Sequence, residues 1–170
     1  MGGFAAIRKT LTVRYPASPE RVATMLADEG FQRSRVAGLP QASTTVETAT
    51  PAGGLEARIS GSVPARSLPP AVSRFIKGPV SFRLRESWGA PTATGARPGQ
   101  MDVLLKGAPV SVRATTAMRG TGTDTVVRFE VSLSVKVPIV GGRLEAKALS
   151  MVDQVVADEE RRAAAWLADH

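Results

Sequence analysis

The sequence predicts an α+β fold: a curved, seven-stranded antiparallel sheet around one long C-terminal helix, with two short helices in the first half. Seven segments alternate apolar and polar residues at a period of two, so each has one apolar face. Short turns join most of them, which favours antiparallel neighbours. The final stretch lacks Gly and Pro and repeats apolar residues at three- and four-residue steps, making the helix that must cover the sheet.

The elements follow in order. Over 9–15, Leu11, Val13 and Tyr15 oppose Thr10, Thr12 and Arg14, and Pro16 ends the strand. Ser18-Pro19-Glu20 starts a helix: a hydroxyl cap, proline at the first position and an acid at the positive end of the dipole. Val22, Met25 and Leu26 are its buried stripe and Gly30 its stop, while 31–41 has no clear period and reads as a connection. A weak strand over 44–50 turns at Pro51-Ala52-Gly53-Gly54 into a strong one over 55–63. Leu68-Pro69-Pro70 introduces a short helix over 71–76, halted at Gly78-Pro79.

Over 80–88, Val80, Phe82, Leu84, Glu86 and Trp88 share a face against Ser81, Arg83, Arg85 and Ser87. Residues 89–99 read as a mobile loop. Strands over 101–106, 112–119 and 127–137 complete the sheet. The helix over 143–168, roughly 39 Å long, carries Leu144, Ala148, Met151, Val152, Val155, Val156, Ala163, Trp166 and Leu167 as one stripe.

Composition excludes several chemistries. The 170 residues suit one domain, 1–170, with 1–6 expected as a mobile tail. There is no cysteine, and the one histidine is His170. Disulfides, thiolate nucleophiles, Ser-His-Asp triads and multi-histidine metal sites therefore have no material. No cofactor and no metal are expected.

No run of about 18 apolar residues exists to span a membrane. The basic pair Arg8-Lys9 follows the first apolar patch, the wrong order for a secretory signal, so the cytoplasm is the expected location. The net charge of +7 invites a nucleic-acid partner. Its cations, however, are spread along outward strand positions among Ser, Thr and Glu, the pattern of a solvated face. A transient membrane contact stays open.

Two acids break the apolar pattern: Glu86 between Leu84 and Trp88, and Glu159 one turn from Val155 and Ala163. A carboxylate so placed needs hydrogen bonds or a cation, or its pKa rises. Either holds a ligand's polar end, works as a general acid or base (Glu86 is the catalytic candidate), or completes a buried ion pair, which is the commoner case. Lys9 and Arg162 are the partners suggested by face. A sheet of this length around one helix is hard to fill, so an apolar pocket is expected, lined by Phe75, Phe82, Trp88, Met101, Phe129, Val152, Val156 and Glu159.

The order strand, short helices, long meander and C-terminal helix resembles the START-like or helix-grip superfamily of birch-pollen allergens, polyketide cyclases and lipid-transfer domains. The residues that carry the likeness begin with Tyr15-Pro16-Ala17-Ser18-Pro19-Glu20-Arg21-Val22. Leu68-Pro69-Pro70, Glu86-Ser87-Trp88 and Val137-Pro138-Ile139-Val140-Gly141-Gly142-Arg143-Leu144-Glu145 resemble an actinobacterial branch of unknown function. The resemblance implies a ligand-sized cavity, and fold alone does not fix function. The expectation is a carrier of a small hydrophobic, lipid- or polyketide-like molecule. The alternatives are a cyclase- or dehydratase-like enzyme using Glu86 and a basic partner-binding module.

Overall fold

The computed structural model describes residues 5–38, 44–67, 70–74, 76–108, 110–135 and 141–170. Its element order is β1 (Ala5–Tyr15), α1 (Pro19–Leu26), α2 (Glu29–Val36), β2 (Thr45–Ala49), β3 (Leu55–Val63), α3 (Pro70–Ser73), β4 (Val80–Trp88), β5 (Arg97–Lys106), β6 (Val110–Gly120), β7 (Thr125–Val135) and α4 (Gly141–Asp169). One antiparallel sheet runs β1-β7-β6-β5-β4-β3-β2. The first strand closes onto the last, from Ala5↔Val135 to Tyr15↔Thr125, so the meander from β2 to β7 is the predicted one. The fold class is as the alternation predicted.

Several boundaries differ, each for a local reason. β1 starts at Ala5, so Ala5 and Ala6 of the expected tail belong to the sheet. β5 starts at Arg97 inside the expected loop, and its first residues pair with the end of β4, Gly99 opposite Trp88. Pro98 and Gly99 disguised this strand. The short helix expected over 71–76 covers Pro70–Ser73. Phe75, Leu68-Pro69 and Val137-Pro138-Ile139-Val140 lie outside the described residues.

The most consequential difference is α2. Gly30 does not stop a helix; α1 ends at Leu26, and Asp28 caps a second helix by accepting from the Phe31 N–H at 2.8 Å. Gly30 fits there because a Cβ would come within 2.9 Å of Asp28 Oδ1. The apolar period failed because α2 is eight residues long and buries one apolar side chain, Phe31, beside the polar Gln32.

The C-terminal end of α4 is docked. Ala163 and Leu167 are buried, Trp166 Nε1 donates to Asp28 Oδ1 at 3.2 Å, and Arg21 Nη2 donates to the Leu167 carbonyl at 2.9 Å. Further back, Met151 is 52% and Val155 61% exposed, although both belonged to the predicted buried stripe. There α4 stands off the sheet.

The inner face of the sheet follows the same gradient. Tyr15 and Val13 on β1 are buried, whereas Leu11, Lys9 and Ile7 are half-buried. On β6 burial gives way after Ala114, at Val112 and Val110, and on β7 after Phe129, at Val131 and Leu133. Along β1, β6 and β7 the interior is sealed at the end capped by α1 and α2 and loosens toward the other, where β3 and β4 keep a small buried cluster of Val63, Ile76 and Val80.

Candidate functional site

Between the loosened face and α4 lies a half-open cavity of about 420 Å³. Leu11, Leu84, Met101, Val112, Phe129 and Val131 line its sheet side, with Val155 and Val156 on the helix. Its volume falls in the range of roughly 300–1,000 Å³ usual for ligand sites. Arg35, Asp158, Glu159 and Arg162 form its polar end.

That end is built around Arg35, at the last turn of α2. Its Nη1 donates to Glu86 Oε2 at 2.5 Å and to Gln32 Oε1 at 3.0 Å. Its Nη2 and Nε donate to Glu159 Oε1 at 2.5 and 3.1 Å. The Phe31 ring lies 5.0 Å from the guanidinium carbon, a cation–π contact. Gln32 is oriented in turn by donating its Nε2 to the Leu26 carbonyl at 2.7 Å. The planar fork of arginine can serve two carboxylates at once, which an ammonium cannot.

Glu86 is 1% exposed, and its second oxygen accepts from Trp88 Nε1 at 3.0 Å. Both oxygens are committed, so Glu86 completes a buried ion pair walled off behind Arg35. Glu159 also accepts from the Tyr15 hydroxyl at 3.1 Å and from Arg162 Nη1 at 3.5 Å. Of the two partners suggested by face, Arg162 makes this single long contact with Glu159. Lys9 makes no ion pair with any described residue, and Arg35 takes the place proposed for it.

The electrostatics follow. Burial alone would raise the Glu159 carboxyl, but the charge and hydrogen bonds of Arg35 outweigh it and hold the group below its usual range. Burial likewise works against the Arg35 charge, and Glu159 and Glu86 more than offset it. Burial pushes the Tyr15 hydroxyl well above the usual phenol value, and the neighbouring Glu159 adds to it.

These shifts predict a two-sided stability profile. The Glu159 pKa is depressed, so its contribution is present above about pH 4.3, the unfolded value. It is lost as pH falls through the folded value. The Tyr15 pKa is raised, so its contribution is present below about pH 10 and lost as pH rises toward the folded value. Melting temperature measured against pH should fall at both ends. Tyr15→Phe should flatten the alkaline limb and reduce the acid limb in part, because it removes one of the hydrogen bonds that hold the Glu159 carboxyl down. An alkaline limb unchanged in Tyr15→Phe would refute this assignment.

Of the pocket residues read from the sequence, Met101, Phe129, Val156 and Glu159 line the cavity. Trp88 is buried in the core beside Glu86 and does not line it. Phe82 packs in a separate cluster with Val63, Ile76 and Val80, and Val152 sits half-buried on α4 outside the lining. Sequence reasoning missed Arg35, which lay in the stretch without a period. Leu11, Leu84, Val112 and Val131 were legible as inward-facing, with nothing to single them out as lining. Among the described residues no three His, Cys, Asp or Glu side chains are grouped to hold a metal ion. A shallow depression of about 630 Å³ on the outer face, lined by Arg8, Gln100, Asp102, Arg113 and Glu130, is ionic and partly bridged by the Arg113–Asp102 pair at 3.8 Å.

Residues 10–167 match the family model described as a protein of unknown function (DUF2505). Uncharacterized proteins of Mycobacterium tuberculosis and Mycobacterium bovis are 24% identical over 168 residues, covering 94% of this chain and 96% of each relative. The fold is similar to that of a STAR-related lipid transfer protein from Xanthomonas axonopodis, with TM-score 0.55, 13% identity, 94% of this chain and 85% of that one covered. It is also similar to norcoclaurine synthase from Thalictrum flavum, solved with dopamine and hydroxybenzaldehyde, with TM-score 0.52, 11% identity, and 98% and 89% coverage. The architecture is the START-like helix-grip that the order of elements resembled.

Proposed function

The chain belongs to the DUF2505 family, and from that premise we propose that it binds and carries a small, uncharged hydrophobic molecule of the lipid or polyketide kind. The observation that carries the reading is the half-open cavity of about 420 Å³, apolar along the sheet and charge-balanced at its polar end. A ligand carboxylate there would face Glu159 and Asp158, and a ligand ammonium would face Arg35 and Arg162. A hydroxyl or carbonyl meets neither penalty. Arg162 is the donor with slack to receive it, because its contact with Glu159 is 3.5 Å long and its side chain is 30% exposed.

The helix-grip neighbours support the reading, since one is named for lipid transfer and another was solved with small aromatic molecules. A ligand burying about 300 Å² of apolar surface gains roughly 7.5 kcal/mol before ordering costs, which places binding in the micromolar range or weaker.

The test is titration with the neutral apolar probe N-phenyl-naphthylamine, alongside native mass spectrometry of protein purified from its own host. Val131→Trp, which fills the cavity, should keep or raise the melting temperature and weaken probe uptake at least tenfold. Undiminished uptake by a folded Val131→Trp protein would place binding elsewhere.

A further inference from the structure

We propose that the end of the molecule where β3, β5 and β7 finish is a docking surface for an anionic lipid bilayer. Unpaired cations gather at this end. From residue 57 to 85 there are six cations and no acid, of which Arg58 and Arg85 pair with Glu56. Of the acid-free stretch 103–123, Lys106 lies at this end, while Arg113 pairs with Asp102 and Arg119 lies at the far end. Topology brings the first run and the β5–β6 turn together. β3 ends at Val63, β4 starts at Val80, β5 ends at Lys106, and β1 starts alongside the end of β7.

Arg66, Lys77, Arg83 and Lys106 are exposed there, and exposed Arg8 lies one outward position further in, level with Arg113 and Asp102. None of the five makes an ion pair with a described residue. No Asp or Glu occurs in the described residues 60–83 or 104–111. Glu145, in the second turn of α4, stands between Arg143 and Lys147 in the chain. At the opposite end Asp28, Glu29, Asp124 and Asp169 are present.

Two features select a bilayer over a nucleic acid. Leu104 is 51% exposed, paired across the sheet with Arg83 on one side and Ser111 on the other, with Lys106 two residues on and Asp102, paired to Arg113, two residues back. An exposed apolar side chain flanked by two unpaired cations suits the headgroup–acyl boundary. The outward positions of the described strands carry no aromatic side chain on which bases would stack. The patch also lies at the end toward which the inner face of β1, β6 and β7 loosens. The proposal stands on charge and exposure and does not require the cavity to be filled.

The test is co-sedimentation with phosphatidylcholine vesicles, with and without phosphatidylglycerol. Binding is expected only with the anionic lipid and should be lost at high salt. Each cation near such a surface strengthens binding roughly fivefold. Arg83→Gln with Lys106→Gln should therefore lower the partition coefficient about 25-fold. Arg14→Gln with Arg119→Gln, the same charge change at the far end, should change it less than about threefold. Leu104→Ser should weaken it roughly tenfold. Equal losses in the two double variants would show a non-specific attraction and overturn the proposal. So would absence of vesicle binding, or duplex DNA binding that Arg83→Gln with Lys106→Gln abolishes while vesicles go unbound.

Discussion

Replacing Arg35 with Met should cost about 3–5 kcal/mol of folding stability, because it leaves two carboxylates without their shared cation. Glu86 is the worse stranded, being 1% exposed with Trp88 Nε1 as its remaining donor. Glu159 keeps the Tyr15 hydroxyl and a long contact with Arg162. For a chain of this size each kcal/mol moves the melting temperature by roughly 2–4 °C, so a drop of about 6–20 °C is expected in thermal unfolding. Arg35→Lys should recover little, since an ammonium cannot reach Glu86, Gln32 and Glu159 together. Adding Glu86→Gln and Glu159→Gln to Arg35→Met should restore part of the loss by removing the stranded charges. A loss below about 1 kcal/mol in Arg35→Met would mean that solvent reaches Glu86 and that the ion pair is not buried as described.

This cluster shows where sequence reading stops. Glu86 and Glu159 were visible because each interrupts an apolar stripe, and a charge in such a place requires a partner. The partner was not visible. Arg35 sits at the end of an eight-residue helix whose inward side is Phe31, Gln32 and Arg35, so the hydrophobic period that reveals helices was absent. Strands β3 and β4 were read with their observed bounds, because Leu55–Val63 and Val80–Trp88 alternate without a break. Periodicity also named Met151 and Val155 as buried, and they are exposed. A stripe records which side of a helix faces the sheet. How far the helix stands from the sheet depends on the volume between them, and that gap is the cavity.

Any side chain at Gly99 should be nearly as damaging, at a position whose sequence reads as loop. Gly99 pairs with Trp88 on one side and Thr116 on the other. A Cβ there would lie 2.5 Å from Thr116 Oγ1, 2.6 Å from Trp88 Cε3 and 2.7 Å from the Ser87 carbonyl oxygen. The Ser87 carbonyl belongs to the ladder and cannot yield, so Trp88 must shift. Its Nε1–H then leaves Glu86 Oε1, and a buried carboxylate oxygen loses its donor. Overpacking of roughly 1–3 kcal/mol adds to about 1–3 kcal/mol for the unsatisfied group, giving about 2–6 kcal/mol for Gly99→Val. In a Trp166→Phe background, emission from Trp88 should shift to the red as the indole is displaced. Thr116→Val is the matched control: its hydroxyl is buried without a partner among the described residues, so removing it should be neutral or slightly stabilising. If Gly99→Val keeps both the melting temperature and the Trp88 emission, the indole is not held against that glycine and its bond to Glu86 does not depend on it.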